Sequence, residues 1–325
     1  MTPHLLIVIV NYRTARLCVD CIASVVAELD HCSADVRASV MVVDGGSGDD
    51  SPRVLADAIA AHGWAPRVQL LPLEHNGGFA YANNAGIRPA LDCDDKPDYV
   101  LLLNPDTVVR PGAISQLVAF MQHRPEVGIA GSRLEDPDGT PQRSAFRFPS
   151  LWGEIEEGIR FGPVTRLLAP HVIAPPQRDV LGPTDWVAGA SMIVRRAVFE
   201  AVGLLDEGYF MYYEEVDFCR RAKGAGWPCW YVPQSRVVHL VGQASGVTDI
   251  KKPLRRRPRY WFDSRRRYLA SHHGRVGKCS IDAAWVVTRL IARAMDVLRR
   301  RSAGDPPHLI ADYLRYNLFP RRSQT

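Results

Sequence analysis

Three groups of side chains have the types and setting to do chemistry. The first is Asp106, in the run Asn104-Pro105-Asp106-Thr107 directly after the apolar stretch Tyr99 to Leu103. A carboxylate held in a turn where proline removes a backbone donor can grip a hard divalent cation, which in turn bridges the phosphates of a nucleotide. The same four residues also read as an ordinary turn. The second group is acidic: Asp206-Glu207, then Glu214-Glu215-Val216-Asp217. On a helix starting near Tyr213, Glu214 and Asp217 share a face, while Glu215 projects about 100° away from Glu214. Acids at such a place complement a helix dipole without any catalysis. The preceding run Tyr209 to Tyr213 is apolar, however, and a carboxylate in such surroundings acquires a raised pKa and can serve as general base. Third comes His239, after the strand-like Arg236 to Val238 and before Gly242 and Ser245. A lone histidine is equally at home in packing or on a solvated surface.

The elements that must position these groups alternate between strand and helix. Leu5 to Val10 is a continuous aliphatic run, as expected of a strand covered on both faces. Helical spacing follows over Leu17 to Leu29, then a buried strand, Val40 to Val43, ending in Asp44-Gly45-Gly46-Ser47-Gly48. Ser51 to His62 reads as helix, Val68 to Leu71 as strand, Ala80 to Leu91 as helix and Tyr99 to Leu103 as a further strand. This order predicts an open, mostly parallel α/β sheet, in which ligands sit outside the carboxyl ends of the strands. Those ends are Asn11-Tyr12, Asp44 and Asn104-Pro105-Asp106. Neither a G-x-G-x-x-G nor a P-loop is present, so a nicotinamide oxidoreductase is disfavoured.

Beyond residue 110 the pattern predicts a helix over Pro111 to His123, a strand over Val127 to Gly131 and a turn at Asp136 to Gly139. Residues 141–183 are rich in Pro, Phe and Gly and read as an irregular lid or substrate-facing loop. Trp186 to Val194 is strand-like, Arg196 to Val202 and Glu214 to Gly224 are helical, and two strands follow at Trp230 to Pro233 and Arg236 to Leu240. In the tail, Ile281, Ala284, Trp285, Thr288, Ile291, Ala292, Met295 and Leu298 fall on one helical face, with Asp282, Arg289, Arg293 and Asp296 elsewhere and Arg299 to Arg301 at its end. That helix reads either as docked on protein or as lying on a membrane surface.

Composition agrees with a globular protein: 325 residues, 46% hydrophobic, 23% charged and 9% aromatic. Disorder, collagen and a small disulfide scaffold are excluded. No apolar run approaches the roughly 20 residues that span a bilayer, and the start lacks a basic signal-peptide region, so the expected location is the cytoplasm. Seven cysteines, including a lone Cys18-x-x-Cys21 and Cys32, form no disulfide framework or zinc pattern and read as reduced packing residues. Charge is divided. Residues 251–325 hold 19 Lys or Arg against 5 Asp or Glu, a surplus of +14 that leaves −9 on residues 1–250. An acidic body with a basic tail suits an anionic surface as partner; no recognised nucleic-acid motif accompanies the arginines, so nucleic acid is not expected.

Together the motifs resemble an inverting family 2 glycosyltransferase with the GT-A fold, of the rhamnosyltransferase and galactofuranosyltransferase subgroup, over about residues 5–275. They are Ile7 to Tyr12, Val42 to Ser47, Asn76 to Gly86, Leu103 to Asp106, Gly189 to Met192, Phe210 to Asp217 and Val238-His239, in that order. The resemblance implies a Rossmann-like catalytic domain over 1–250, with a nucleotide-sugar-binding half (1–110) and an acceptor half (111–250), then a basic helical extension (251–325). It implies that Asn11, Tyr12 and Asp44 surround the base and ribose of a dTDP- or UDP-sugar, and that Asn76, Gly77, Phe79, Asn83 and Asn84 line the donor pocket. Asp106 matches the last acid of the family's D-x-D motif and would hold Mg²⁺ or Mn²⁺ with His239; Asn104 stands at the motif's first position, so one carboxylate is lost. Trp186, Gly189 and Ala190 would shape the cleft. Glu215 matches the catalytic base, although Glu214-Glu215 replaces the usual Glu-Asp pair and leaves Glu214 and Asp217 as alternatives.

The activity so implied is transfer of a sugar, L-rhamnose from dTDP-rhamnose, onto a lipid-linked cell-surface glycan, with UDP-galactofuranose or UDP-N-acetylglucosamine as alternative donors. Trp261 to Gly274 resembles the stretch after the catalytic domain in this subgroup. Its cations, with Lys251 to Arg259, would meet a lipid-linked diphosphate acceptor at an anionic membrane surface, peripheral at the inner face of the cell membrane. A competing class is a catalytically silent nucleotide-sugar-binding scaffold, against which Asp106, Glu215 and His239 stand together. No oligomeric state is implied.

Overall fold

The computed structural model describes residues 2–31, 36–177, 179–240, 254–300 and 304–318. Cys32, Gly242, Ser245, Lys251, Lys252 and Arg301, named above, lie outside the described residues. Along the chain run β1 (His4–Asn11), α1 (Ala15–His31), β2 (Arg37–Asp44), α2 (Ser51–Ala61), β3 (Val68–Pro72), α3 (Phe79–Asp92), β4 (Tyr99–Leu103), β5 (Thr107–Val109), α4 (Ala113–His123) and β6 (Ile129–Glu135). Then come β7 (Ala145–Phe146), α5 (Leu151–Ile159), α6 (Gly162–Leu167), β8 (Gly182–Thr184), β9 (Trp186–Val187), β10 (Ser191–Arg195), α7 (Arg196–Val202), α8 (Glu214–Gly224), β11 (Cys229–His239), α9 (Arg259–Leu298) and α10 (Leu309–Tyr313).

These elements form two compact units. One comprises Met1–Phe146, Pro176–Phe210 and Glu214–Gly246; the other comprises Arg147–Pro175, Met211–Tyr213 and Val247–Thr325. The first unit is the predicted α/β sheet, in the order β3-β2-β1-β4-β10-β6-β11-β5, with β8 paired to β11. Its β3, β2, β1 and β4 are parallel, as are β6 and β11; β10 runs antiparallel between β4 and β6. Burial follows the expected logic of a doubly covered sheet: all five β4 residues are buried, and Leu5, Ile7 and Ile9 of β1 meet Cys18, Cys21, Ile22 and Val25 of α1 in one core. Cys18 and Cys21 are thus packing residues, and burial pushes the Cys21 thiol up to about 12.

Three local expectations change. Trp186 to Val194 is two strands rather than one, because residues 188–190 leave the ladder before β10 pairs with β4 from Ser191↔Leu103. The two strands expected over 230–240 are one, β11, with a register shift between Val232 and Arg236 that accommodates Pro233. Directly after Asp106, β5 forms by pairing with β11, a strand that three residues of local pattern do not announce.

In the second unit, residues expected to be irregular form α5 and α6. The reason lies in long-range packing: a Cβ at Gly158 of α5 would strike the Thr288 hydroxyl of α9 at 2.1 Å, so the two helices meet closely there. The helix α9 bends at Gly274, whose φ of 67° lies in the left-handed region. Its buried face is not the purely apolar one expected. Ile281, Trp285 and Ala292 are buried beside Asp282 and Arg289, while Ile291 and Leu298 are exposed. Ion pairing explains the rotation: Arg265 bonds Asp282, and Arg289 bonds both oxygens of Asp305 at 2.6 and 2.8 Å. Charges with bonded partners tolerate burial, so hydropathy alone misplaces the face.

Candidate active site

The first unit gathers most of the sequence-predicted residues at the carboxyl ends of β1, β2 and β4, where a parallel sheet offers its ligand crevice. Since β1 and β2 are in register from His4↔Arg37 to Asn11↔Asp44, the last side chains of both strands adjoin. Asn11 Nδ2 donates to Asp44 Oδ1 at 2.7 Å, and the Asp44 carboxylate also accepts from the Ser47 N–H (3.0 Å) and hydroxyl (2.6 Å). Both Asn11 and Asp44 are buried, so they shape the loop, whereas Tyr12 is 37% exposed with the Arg13 guanidinium 5.2 Å from its ring centroid. Arg13, in the left-handed region, donates from Nε to the Ser47 carbonyl at 2.8 Å. Gly46 has positive φ and lies against His75 and Asn76, where a Cβ would come within 2.5 Å of backbone. The Asn76 side chain in turn accepts from the Gly78 N–H at 2.9 Å.

A second cluster forms where β4 ends. Asn104 N donates to the Ala190 carbonyl at 3.1 Å, so the start of β10 closes over the Asn104-Pro105-Asp106 turn. On the other side β11 pairs with β5 at His239↔Thr107, and Leu240 N donates to the Asp106 carbonyl at 2.9 Å. That register brings His239 Nε2 to 3.4 Å from Asp106 Oδ1. Asp106 is 2% exposed, and its Oδ1 is buried without a hydrogen-bond partner. Leaving a buried carboxylate oxygen unmet is costly, and a cation would relieve it. The pair of one carboxylate and one imidazole therefore fits a divalent metal. Among the described residues no three His, Cys, Asp or Glu side chains cluster as metal ligands, so the remaining positions would fall to phosphate oxygens and water, as is usual for Mg²⁺.

The third cluster centres on Glu215. Gly189 is wedged between two side chains: a Cβ there would sit 3.4 Å from the Phe79 ring and 3.9 Å from Glu215 Cβ. Phe79 is placed by its own N–H, which donates to the Phe210 carbonyl at 2.8 Å, an approach that Gly78 permits with φ 92°. Glu215 is the second residue of α8, is half-buried, and leaves Oε2 without a partner. Burial pushes its carboxyl up to about 7, against the opposing pull of the Glu215 and Val216 N–H groups. Glu214 is more deeply buried, and burial together with the neighbouring Glu215 raises it well above the carboxylate range. One step earlier, Tyr212 and Tyr213 both hold φ near 70°, a conformation rare for aromatic residues and concentrated at functional sites.

Not every predicted residue has polar groups to offer a ligand. Asp217 receives Arg221 Nε at 2.7 Å, and the same guanidinium bonds the carbonyls of Val202 and Leu204, tying α8 to the end of α7. The Asn83 amide caps back to the Phe79 carbonyl, and Asn84 bonds Leu205 through both its oxygen and its nitrogen and reaches Glu207 Oε1 at 2.8 Å. Asn84 therefore ties α3 to the loop at Leu205 and Glu207, while the Asn83 bond stays within α3. Trp186 stacks on Phe146 at 4.2 Å, and Gly77 packs against the Tyr81 ring. Two contributors escaped the sequence reading. Gln142 donates to the His239 carbonyl at 2.8 Å, and buried Ser132 links the Ser191 and Ser235 hydroxyls at 2.7 and 2.8 Å beneath the start of β10. Neither has a local signal, since each acts on residues far along the chain.

A family model described as glycosyltransferase like family 2 matches residues 3–269. N-acetylglucosaminyl-diphospho-decaprenol L-rhamnosyltransferase of Mycobacterium tuberculosis is 33% identical over 222 residues, covering 64% of this chain and 68% of that protein. Rhamnosyltransferase WbbL of Escherichia coli K12 is 30% identical over 175 residues, 50% of this chain and 60% of the relative. Among solved structures, the mannosyltransferase from Pyrobaculum calidifontis in complex with GDP-Man and Mn²⁺ aligns with a TM-score of 0.58 at 15% identity, over 96% of this chain and 79% of that one. This likeness is one of fold, the GT-A arrangement of sheet and helices. The family model spans the strand ends, the Asp106 turn and α8 alike: the chain is a glycosyltransferase and belongs to glycosyltransferase-like family 2.

Proposed function

We propose that this transferase moves L-rhamnose from dTDP-L-rhamnose, with inversion, onto a lipid-linked glycan acceptor at the inner face of the cell membrane, and that Mg²⁺ or Mn²⁺ assists it. The observation that carries the catalytic reading is Glu215, an unpartnered carboxylate oxygen with its pKa raised to about 7 beside Gly189. A base matched to working pH is what deprotonation of a sugar hydroxyl requires. Glu215 takes the acceptor hydroxyl proton, the acceptor oxygen bonds the anomeric carbon from the face opposite the leaving group, and the bond to the nucleoside diphosphate breaks with its electron pair on phosphate oxygen. A divalent cation on Asp106 and His239 would supply neutralisation of the departing diphosphate charge. Asn104, two residues before Asp106, brings no charge of its own, so among the described residues Asp106 is the one carboxylate offered there. The sugar and the acceptor class rest on the rhamnosyltransferase relatives named above.

The reading is tested by release of free nucleoside diphosphate from a panel of dTDP- and UDP-sugars, with and without Mn²⁺ or Mg²⁺, in the presence of a membrane-lipid extract. Metal-dependent release from dTDP-rhamnose alone supports it. Release from UDP-galactofuranose or UDP-N-acetylglucosamine instead replaces the donor. Sugar-nucleotide binding with no release from any donor, in extracts that support a related rhamnosyltransferase, overturns the catalytic reading in favour of a silent binding protein.

A further inference from the structure

Beyond Gly274, α9 is a helix with two apolar faces. One is buried in its own unit around Ile281, Trp285 and Ala292. The opposite arc carries Val276, Val287, Leu290, Ile291, Val297 and Leu298, which are 46% to 84% exposed. At about 100° per residue these six positions lie within a stripe about 120° wide. Only Cys279, Ser280, Ala283 and Ala294 share it, so no charged residue interrupts it. The stripe is about 33 Å long at 1.5 Å per residue. Arginines bound it at both ends: Arg275 on one side, and Arg299 and Arg300 on the other, all exposed.

An exposed apolar stripe of this length marks an interaction surface. We propose that it lies in the interfacial layer of an anionic lipid bilayer, with its six large aliphatic side chains among the acyl chains and the terminal arginines at the headgroups. Two features select lipid over a second copy of the chain. A single-helix stripe about 10 Å wide offers about 330 Å², well short of the about 800 Å² per partner of a stable protein interface. Its ends also carry like charges, so a second copy would set arginine against arginine in either orientation, whereas anionic headgroups meet both ends favourably. No helix among the described residues is long and apolar enough to cross a membrane. Lying in the interface is the arrangement open to a helix whose other face is already packed. The proposal does not depend on which sugar is transferred, because binding is read without any sugar nucleotide.

The test is cosedimentation of the full chain with vesicles of phosphatidylcholine containing 30% phosphatidylglycerol, and with pure phosphatidylcholine. The expected result is binding to the anionic vesicles that weakens in 0.5 M NaCl. The double variant Leu290→Glu, Leu298→Glu should lose about tenfold or more of that binding at either salt concentration, with unchanged thermal midpoint and unchanged nucleotide release on a water-soluble acceptor. Arg299→Gln with Arg300→Gln should lose about tenfold at low salt only. Equal binding by wild type and the Leu290→Glu, Leu298→Glu variant overturns the proposal, as does absence of binding to either vesicle. Concentration-dependent self-association in sedimentation velocity, abolished by the same variant, would assign the stripe to a second copy instead.

Discussion

His239 Nε2 lies 3.4 Å from Asp106 Oδ1, and strand register is what puts it there: β11 reaches β5 at His239↔Thr107, one residue past Asp106. Neither group has the other as a well-aligned hydrogen-bond partner, since Asp106 Oδ1 is unsatisfied. Two electron-pair donors so disposed could fill two of the about six positions around a hard divalent cation. Removing His239 leaves Asp106 in place and should raise the Mn²⁺ concentration needed for half-maximal nucleotide release by on the order of ten- to a hundredfold. Asp106→Asn should do so more severely. Titration of activity against Mn²⁺ checks both, and an unchanged requirement in His239→Ala would remove the imidazole from the metal site.

Glu215→Gln keeps shape and removes the proposed base. Its kcat should fall by about 10² to 10⁴ while the dissociation constant for the sugar nucleotide stays within about twofold. Asp217→Asn should behave differently, because Asp217 holds the Arg221 guanidinium that bonds the Val202 and Leu204 carbonyls at the end of α7; its loss appears as reduced stability with kcat largely kept. Comparable loss of kcat in both variants would contradict this division of labour.

The pH dependence follows from the same carboxyl. With its pKa at about 7, Glu215 is protonated and inactive in acid, so kcat should rise about tenfold per pH unit up to about 7 and then level off. Stability runs the other way. A carboxyl whose folded pKa is raised above its ordinary 4.5 binds its proton more tightly when folded. Its contribution is present below about 4.5 and is lost as pH rises through about 7. Urea midpoints measured from pH 4.5 to 8 should therefore fall less steeply in Glu215→Gln than in wild type.

Gly78→Ala meets two obstacles at once. The new Cβ would lie 2.0 Å from the Phe210 carbonyl oxygen, and φ 92° is foreign to alanine. The Phe79–Phe210 bond that aims the Phe79 ring at Gly189 must then yield. A stability loss of about 1–3 kcal/mol, read by denaturant unfolding, should accompany a raised KM for the donor.

In the second unit Arg265 is sealed between Glu154, at 2.8 Å, and Asp282, which also receives Lys278 Nζ at 2.8 Å. Burial alone opposes its charge, yet the neighbouring carboxylates hold it well above its ordinary value. Arg265→Met strands Glu154 without its cation and should cost about 3–5 kcal/mol. The thermal midpoint is the readout, and a variant as stable as wild type would show that the cluster contributes nothing net.

The order of elements through β4 was legible in the sequence because parallel strands are buried on both faces and so appear as unbroken aliphatic runs. For the same reason Asp106 stood out: a carboxylate directly after such a run lies at the ligand edge of the sheet. The spacing of Glu214, Glu215 and Asp217 on a helix was equally readable, since helical geometry is local. Tertiary structure decided the rest. Whether Glu215 or Asp217 is engaged depends on Arg221 reaching back to α7, and the approach of His239 to Asp106 depends on strands pairing across the sheet. The tail makes the point most sharply. Its sequence contains two apolar arcs, and hydropathy does not say which is covered; Asp282 and Arg289 turn inward because Arg265 and Asp305 await them. Periodicity records which residues prefer to leave water, while the partners that let a charge be buried, or a strand find its neighbour, are supplied by distant parts of the chain.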